Sequence, residues 1–168
     1  SQLNIEKPNW TKSLKKLENA IKNKPGSFDK TWESKKRFSM DWYYPVLCGA
    51  IVGKKAEERI NSQWNKYVLN EKGCLCVLDQ PWVTIAETAE LAITLIKIQK
   101  KDKAAELLSW INDYIDSDGA YWMGRQVTEK VFWPMEKPGW TSAAVILAYD
   151  AFHNFSKGSK IFLDDHLI

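Results

Sequence analysis

Histidine is nearly missing from this chain: His153 and His166 are the only two, both close to its end. Cysteine is scarce as well, at three residues, and three thiols do not build a disulfide framework. Cys74 and Cys76 have one residue between them, so in a strand they face the same side, as two reduced apolar side chains. A zinc site would need more ligands than these. No glycine-rich phosphate loop, serine triad or metal motif is present, so neither a cofactor nor a metal is expected. An excess of one charge is also lacking. The net charge is +3 with the signs intermixed, and no basic stripe alternates with aromatics, which argues against nucleic acid as a partner. Lys54–Lys55 and the Lys97–Lys103 cluster flank helix ends and read as solvated surface. No apolar run reaches 18 residues, so no membrane span is expected. The opening "SQLNIEKPNW" has no signal-peptide apolar run. A reducing cytoplasm is the expected compartment.

What the chain does have is a core and tryptophan. Hydrophobic residues make up 45% and charged residues 27% of its 168 positions, ordinary values for a globular domain or one large piece of one. Nine tryptophans are not ordinary, since each is a large surface to bury or to offer to a ligand. Several fall in "DGAYWMGRQVTEKVFWPMEKPGWT" (118–141), which glycines and prolines mark as a loop. Loops are usually wet and polar.

Six helical patterns are legible. The first spans about 9–23, with Trp10, Leu14, Leu17 and Ile21 on one stripe, and stops at Pro25–Gly26. The second starts at Ser39, an N-cap candidate, and runs to about Gly53. The third, about 55–69, sets Ala56, Ile60, Trp64 and Tyr67 on one face. The fourth runs from Thr84 to about Lys100. The fifth, capped by Asp102, buries Ala105, Leu108, Ile111 and Ile115, and the sixth spans about Thr141 to Phe155. The odd-numbered helices are amphipathic, as befits an outer layer, and the even-numbered ones are apolar nearly all round, as befits an interior. Each inner helix passes to an outer one through a short turn, and each outer helix returns through a long loop: 24–38, 70–83 and 116–140. One strand, Gly73–Asp79, falls within those loops. "PWVT" (81–84) and "PGWT" (138–141) introduce two inner helices alike, a self-similarity that indicates a hairpin array. The expected fold is all-α: three α-hairpins, half of a six-hairpin α/α toroid, with a short β element in the loops. Residues 1–168 then form a single partial toroid domain, in which 1–36 supply a first outer helix and its loop. The long loops gather over the mouth of a central cavity, which their aromatics line or plug. Two end hairpins of an open half ring would leave apolar flanks, so a homodimer or an N-terminal partner half is expected.

"RFSMDWYYPVL" (37–47), "DQPWVTIAETAELAI" (79–93), "DGAYWMG" (118–124) and "WPMEKPGWTSAAVILAYDAF" (133–152) together resemble the C-terminal half of a bacterial prenyltransferase-like family, related to terpenoid cyclases and protein prenyltransferases. The resemblance covers residues 37–163 as a family-like core. It implies a toroid about twice this long and an isoprenoid ligand in an aromatic cavity, whose π faces suit a carbocation.

The residues themselves point equally to sugar chemistry, as in the six-hairpin glycosidases, the other toroid superfamily. Glycosidases work with two carboxylates about 5–10 Å apart, commonly beside aromatic platforms. Four acids are candidate catalytic groups: Asp41 in the first turn of the second helix, Glu87 and Glu90 in the first two turns of the fourth, and Glu136 in the loop between two tryptophans. Asp41 and Glu87 would equally complement a helix dipole. Glu87 and Glu90 share part of a face, and two acids on an apolar helix are costly unless they meet a wet cavity or a cation. Trp42, Tyr43, Trp82, Trp122, Trp133, Trp140, Asp79 and Asp118 are candidate ligand-binding residues; Asp118 before Gly119 is also a natural turn residue. The alternatives to an isoprenoid enzyme are a glycosidase and a non-catalytic glycan-binding module.

Overall fold

The computed structural model describes residues 8–24 and 35–164. Residues 25–34, most of the first long loop, and His166 lie outside the described residues. The helices are α1 (Pro8–Asn23), α2 (Ser39–Leu47), α3 (Gly53–Tyr67), α4 (Ile85–Lys97), α5 (Lys101–Ile111), α6 (Gly139–His153) and the single turn α7 (Lys160–Leu163). The strands are β1 (Val68–Leu69), β2 (Gly73–Cys74), β3 (Trp82–Thr84), β4 (Gly124–Gln126) and β5 (Val131–Phe132). β1 pairs with β2, and β3–β4–β5 form a second small antiparallel sheet.

From α2 to α6 the two kinds of helix take the two layers expected of them. Inner α4 packs against inner α2 and inner α6, outer α3 packs on α2, and outer α5 packs on both α4 and α6. This is half of an α/α toroid, with three inner helices in a row. Helix α4 sits at its centre: Ile85, Ala89, Leu91 and Ala92 are wholly buried. The outer helices bury one stripe each, Ala56, Ile60 and Tyr67 on α3, and Ala104, Leu107, Leu108 and Ile111 on α5.

The structure corrects several local expectations. Helix α2 ends at Leu47, not near Gly53, because Pro45 lies inside it and the chain turns through Gly49 at φ 76°. Ser39 is its first residue and not its cap; its amide instead donates to the Cys76 carbonyl at 3.0 Å. Asp102 sits inside α5, whose cap position is Lys100. That shift brings Ala104 and Leu107 inward and leaves Ile115 beyond the helix and exposed. The stripe of α1 is not buried, for Trp10, Leu14 and Leu17 are exposed. Helix α6 is apolar but not enclosed: Trp140, Ile146 and Leu147 are exposed, since it stands at the edge of the half ring. Lys97 is not solvated surface either; its ammonium donates to the Phe162 carbonyl at 2.8 Å and ties α7 to α4.

The described parts of the long connections meet at one end. Phe38 bridges to Val77 and Leu75 to Val83, the Ile85 amide donates to the Met123 carbonyl, and the Met123 amide donates to the Glu136 carbonyl. The loops before α2, α4 and α6 are thereby laced together above the N-terminal ends of those helices. Gly73 anchors the lacing. Its φ of 131° is a conformation L side chains rarely adopt, and a Cβ there would meet Thr88 Oγ1 at 2.7 Å and Val83 Cγ1 at 2.9 Å. Thr88 Oγ1 is the group that accepts the Cys74 amide at 2.9 Å and donates to the Thr84 carbonyl. Gly73→Ala is expected to lower unfolding stability by about 1–3 kcal/mol, read as a reduced denaturant midpoint at unchanged slope.

Candidate active site

The concave side of the inner layer encloses a cavity of about 1000 Å³. Met40, Asp41, Tyr44, Pro45 and Leu47 line it from α2, with Cys48 just beyond that helix; Glu90, Ile93 and Lys97 line it from α4; Ala144 and Leu147 line it from α6. On α4 and α6 these residues are three or four apart and share one face of the helix. Trp42, Tyr43 and Val46 of α2 belong to the core instead.

Glu90 is the acid seated deepest in this wall. Its Oε2 accepts from the Tyr43 hydroxyl at 2.6 Å. Burial pushes its carboxyl above the ordinary glutamate value; the Tyr43 bond pulls down, the nearby charge of Glu87 pushes up, and Tyr44 pulls down again, with burial the largest influence. Burial and the Glu90 charge likewise raise both Tyr43 and Tyr44. Tyr43 is therefore a neutral donor behind the carboxylate. Glu87, one turn earlier, accepts from the Cys76 thiol at 3.6 Å, and burial followed by the Glu87 charge lifts that thiol to about 12.

Asp41 is exposed and faces the same cavity from α2. Arg59 of α3 stands beside it and also lines the cavity. The Arg59 guanidinium donates to main-chain carbonyls of α2, through Nη2 to Asp41 at 2.8 Å and through Nε to Trp42 at 2.7 Å. The Trp42 indole returns a bond to the Arg59 carbonyl at 2.8 Å. Tyr44 and Arg59 were missed by reading the sequence. For Tyr44 a signal existed, its three-residue spacing from Asp41; for Arg59, on the polar face of an outer helix, none did.

The loop aromatics lie elsewhere. Among the described residues that line the cavity there is no tryptophan; Phe38, Tyr44 and Phe162 are its aromatic members. Trp42 is buried, stacked on Tyr67 with centroids 5.2 Å apart, and Tyr43 is buried behind Glu90. Trp82 meets Trp133 edge-on at 5.2 Å and donates to its carbonyl at 2.6 Å. Trp122 stacks on Phe132 at 5.1 Å with the Lys137 ammonium over its other neighbourhood at 5.2 Å. Lys137 is held by Asp116 at 2.6 Å and by Asp118, so Asp118 is a loop staple and also caps the Ala120 amide. Asp79 pairs with Arg37 at 3.0 Å. Glu136 is exposed in the loop, with Trp133 and Trp140 exposed on either side of it. The tryptophans thus build a packed rim above the inner helices, and two of them remain open to solvent.

A cavity in a half toroid that three carboxylates line, half-buried Glu90 and exposed Asp41 and Asp164, has the groups for acid–base work on a sugar. No family model matches the chain. Over 155 residues, 92% of the chain, it is 41% identical to the MMP endo-(1,4)-3-O-methyl-alpha-D-mannosidase of Mycolicibacterium hassiacum. The chain spans 42% of that protein's length. This similarity overturns the prenyltransferase-like and terpenoid-cyclase-like resemblance drawn from the motifs, and the isoprenoid ligand that went with it. The motifs mark inner-helix starts and rim turns, which any toroid needs. No described helix is long and apolar enough to cross a membrane.

The raised Glu90 carboxyl has a consequence for stability. A group that binds its proton more tightly in the folded state supports folding below its unfolded value, near 4.5, and that support is lost as pH rises through the folded value. Glu90→Gln is therefore expected to unfold later than the natural protein at pH 7–8. The difference should shrink as the pH is lowered toward 4.5, as followed by thermal unfolding across a pH series.

Proposed function

We propose that this chain forms part of a glycoside hydrolase that cleaves within polymers of 3-O-methylated mannose. Glu90 is the general acid, because burial holds its proton, and Asp41 is the second carboxylate, because it faces the same cavity from a wetter position. Glu87 helps by disfavouring the charge on Glu90. The observation that carries this reading is the shared cavity of Asp41 and Glu90, together with the similarity to an endo-mannosidase. Exposed Trp133 and Trp140, beside Glu136, provide stacking platforms for the outer part of a longer glycan. A second half ring, from another copy or from an N-terminal partner half, closes the cavity against the exposed α6 flank of Trp140, Ile146 and Leu147.

The test is hydrolysis of α-(1,4)-linked 3-O-methylmannose oligosaccharides, followed by new reducing ends and product lengths. General acid–base groups contribute about 10²–10⁴-fold, so Glu90→Gln and Asp41→Asn should each lower kcat by that order while oligosaccharide binding persists. Unchanged turnover in both variants would defeat the assignment. Binding without any hydrolysis by the natural protein would favour the non-catalytic glycan-binding module.

A further inference from the structure

Proline at position 45 creates a local deficit in α2. A helix carbonyl accepts the amide four residues on, and residue 45 has no amide to give to the carbonyl of Asp41. The proline ring also crowds that carbonyl and tilts it off the axis. In most helices water would fill the place. Here Arg59 fills it: Nη2 donates to the Asp41 carbonyl at 2.8 Å, and Nε, on the same edge of the guanidinium, donates to the next carbonyl, that of Trp42, at 2.7 Å. Arg59 is itself held, since its own carbonyl accepts the buried Trp42 indole at 2.8 Å. Among the described residues no hydrogen bond or ion pair is recorded for the Asp41 carboxylate. The direction of that side chain therefore depends on the backbone beneath it.

We infer that Arg59 is a positioning residue: it takes over the hydrogen bond that Pro45 cannot supply and thereby fixes the first turn of α2, aiming Asp41 into the cavity. The inference rests on the reading of Asp41 as a working carboxylate, but its geometric part does not. Arginine is required for the full clasp because two donors on one planar edge match two successive carbonyls; a lysine ammonium is a point donor and reaches them less well. The arrangement also explains how a proline is tolerated inside a helix that carries a functional side chain. The proline leaves one carbonyl of the turn open, and the arginine closes it.

The proline supplies its own control. In Pro45→Ala the missing amide returns, and the helix can close the Asp41 carbonyl by itself. The experiment compares the natural protein with Arg59→Met, Arg59→Lys, Pro45→Ala and the double variant Pro45→Ala/Arg59→Met. Two quantities are read: the NMR signal of the Asp41 side-chain carboxyl carbon, and kcat and KM on the oligosaccharide. The Asp41 signal should shift and broaden in Arg59→Met, less so in Arg59→Lys, and return in the double variant toward that of Pro45→Ala alone. Turnover should follow it. Misplacement of a reacting group by about 1 Å costs up to about 10²-fold, so kcat should fall by up to that factor in Arg59→Met with KM little changed, and recover in the double variant. An Asp41 signal unaffected by Arg59→Met, or one equally disturbed with and without Pro45, overturns the inference. A signal that responds as expected while turnover does not would leave the clasp standing and remove Asp41 from the proposed chemistry.

Discussion

Enclosure of α4 is the constraint from which the rest of this structure follows. Helices α2, α5 and α6 cover it, and residues all around it are buried. An ionisable group on such a helix is expensive to desolvate. Only the stripe through Glu90, Ile93 and Lys97 reaches the cavity, so that stripe is where its acid can remain wet and reactive. Even there, burial lifts the Glu90 carboxyl, and the hydrogen bond from the Tyr43 hydroxyl works the other way, favouring the charged form. The proton affinity of Glu90 and the packing of this helix are the same physical circumstance.

The loops solve a different problem. Three inner helices present their N-terminal ends together, and the connections that feed them must carry backbone amides and carbonyls that need partners. They meet this need by pairing with one another, through β3–β4–β5 and the single bridges around Val77 and Val83. The tryptophans supply the apolar surface that lets such irregular chain pack at all: Trp82 on Trp133, and Trp122 on Phe132. Their abundance reflects construction of the rim first. Among the described tryptophans of the rim, Trp133 and Trp140 are the exposed ones.

Legibility differed between the fold and the site. Helix order, the alternation of inner and outer layers and the gathering of long loops at one end were all readable, because hydrophobic period and turn residues encode them locally. Glu87 and Glu90 were readable as acids out of keeping with an apolar helix, and Asp41 only as a first-turn acid that would equally complement a helix dipole. Trp42 and Tyr43, adjacent to Asp41, were not separable from it by composition alone: they differ by one or two positions, which on a helix turns a side chain away from the cavity and into the core. The family resemblance misled for a related reason. The stretches that carried it, 37–47, 79–93, 118–124 and 133–152, describe inner helices and the rim turns that lead into them, and say little about what the cavity between the helices does.

Taken alone, the sequence determined the layers, through the spacing of apolar residues, and the scarcity of histidine and cysteine left carboxylates as the candidate reactive groups. Tertiary structure decided which carboxylates share a space, since Asp41 and Glu90 are 49 positions apart in the chain and meet only when α2 packs against α4. It also decided the place of Arg59. Nothing in the amphipathic pattern of α3 marks that residue, because its role depends on a carbonyl of another helix that a proline has left open.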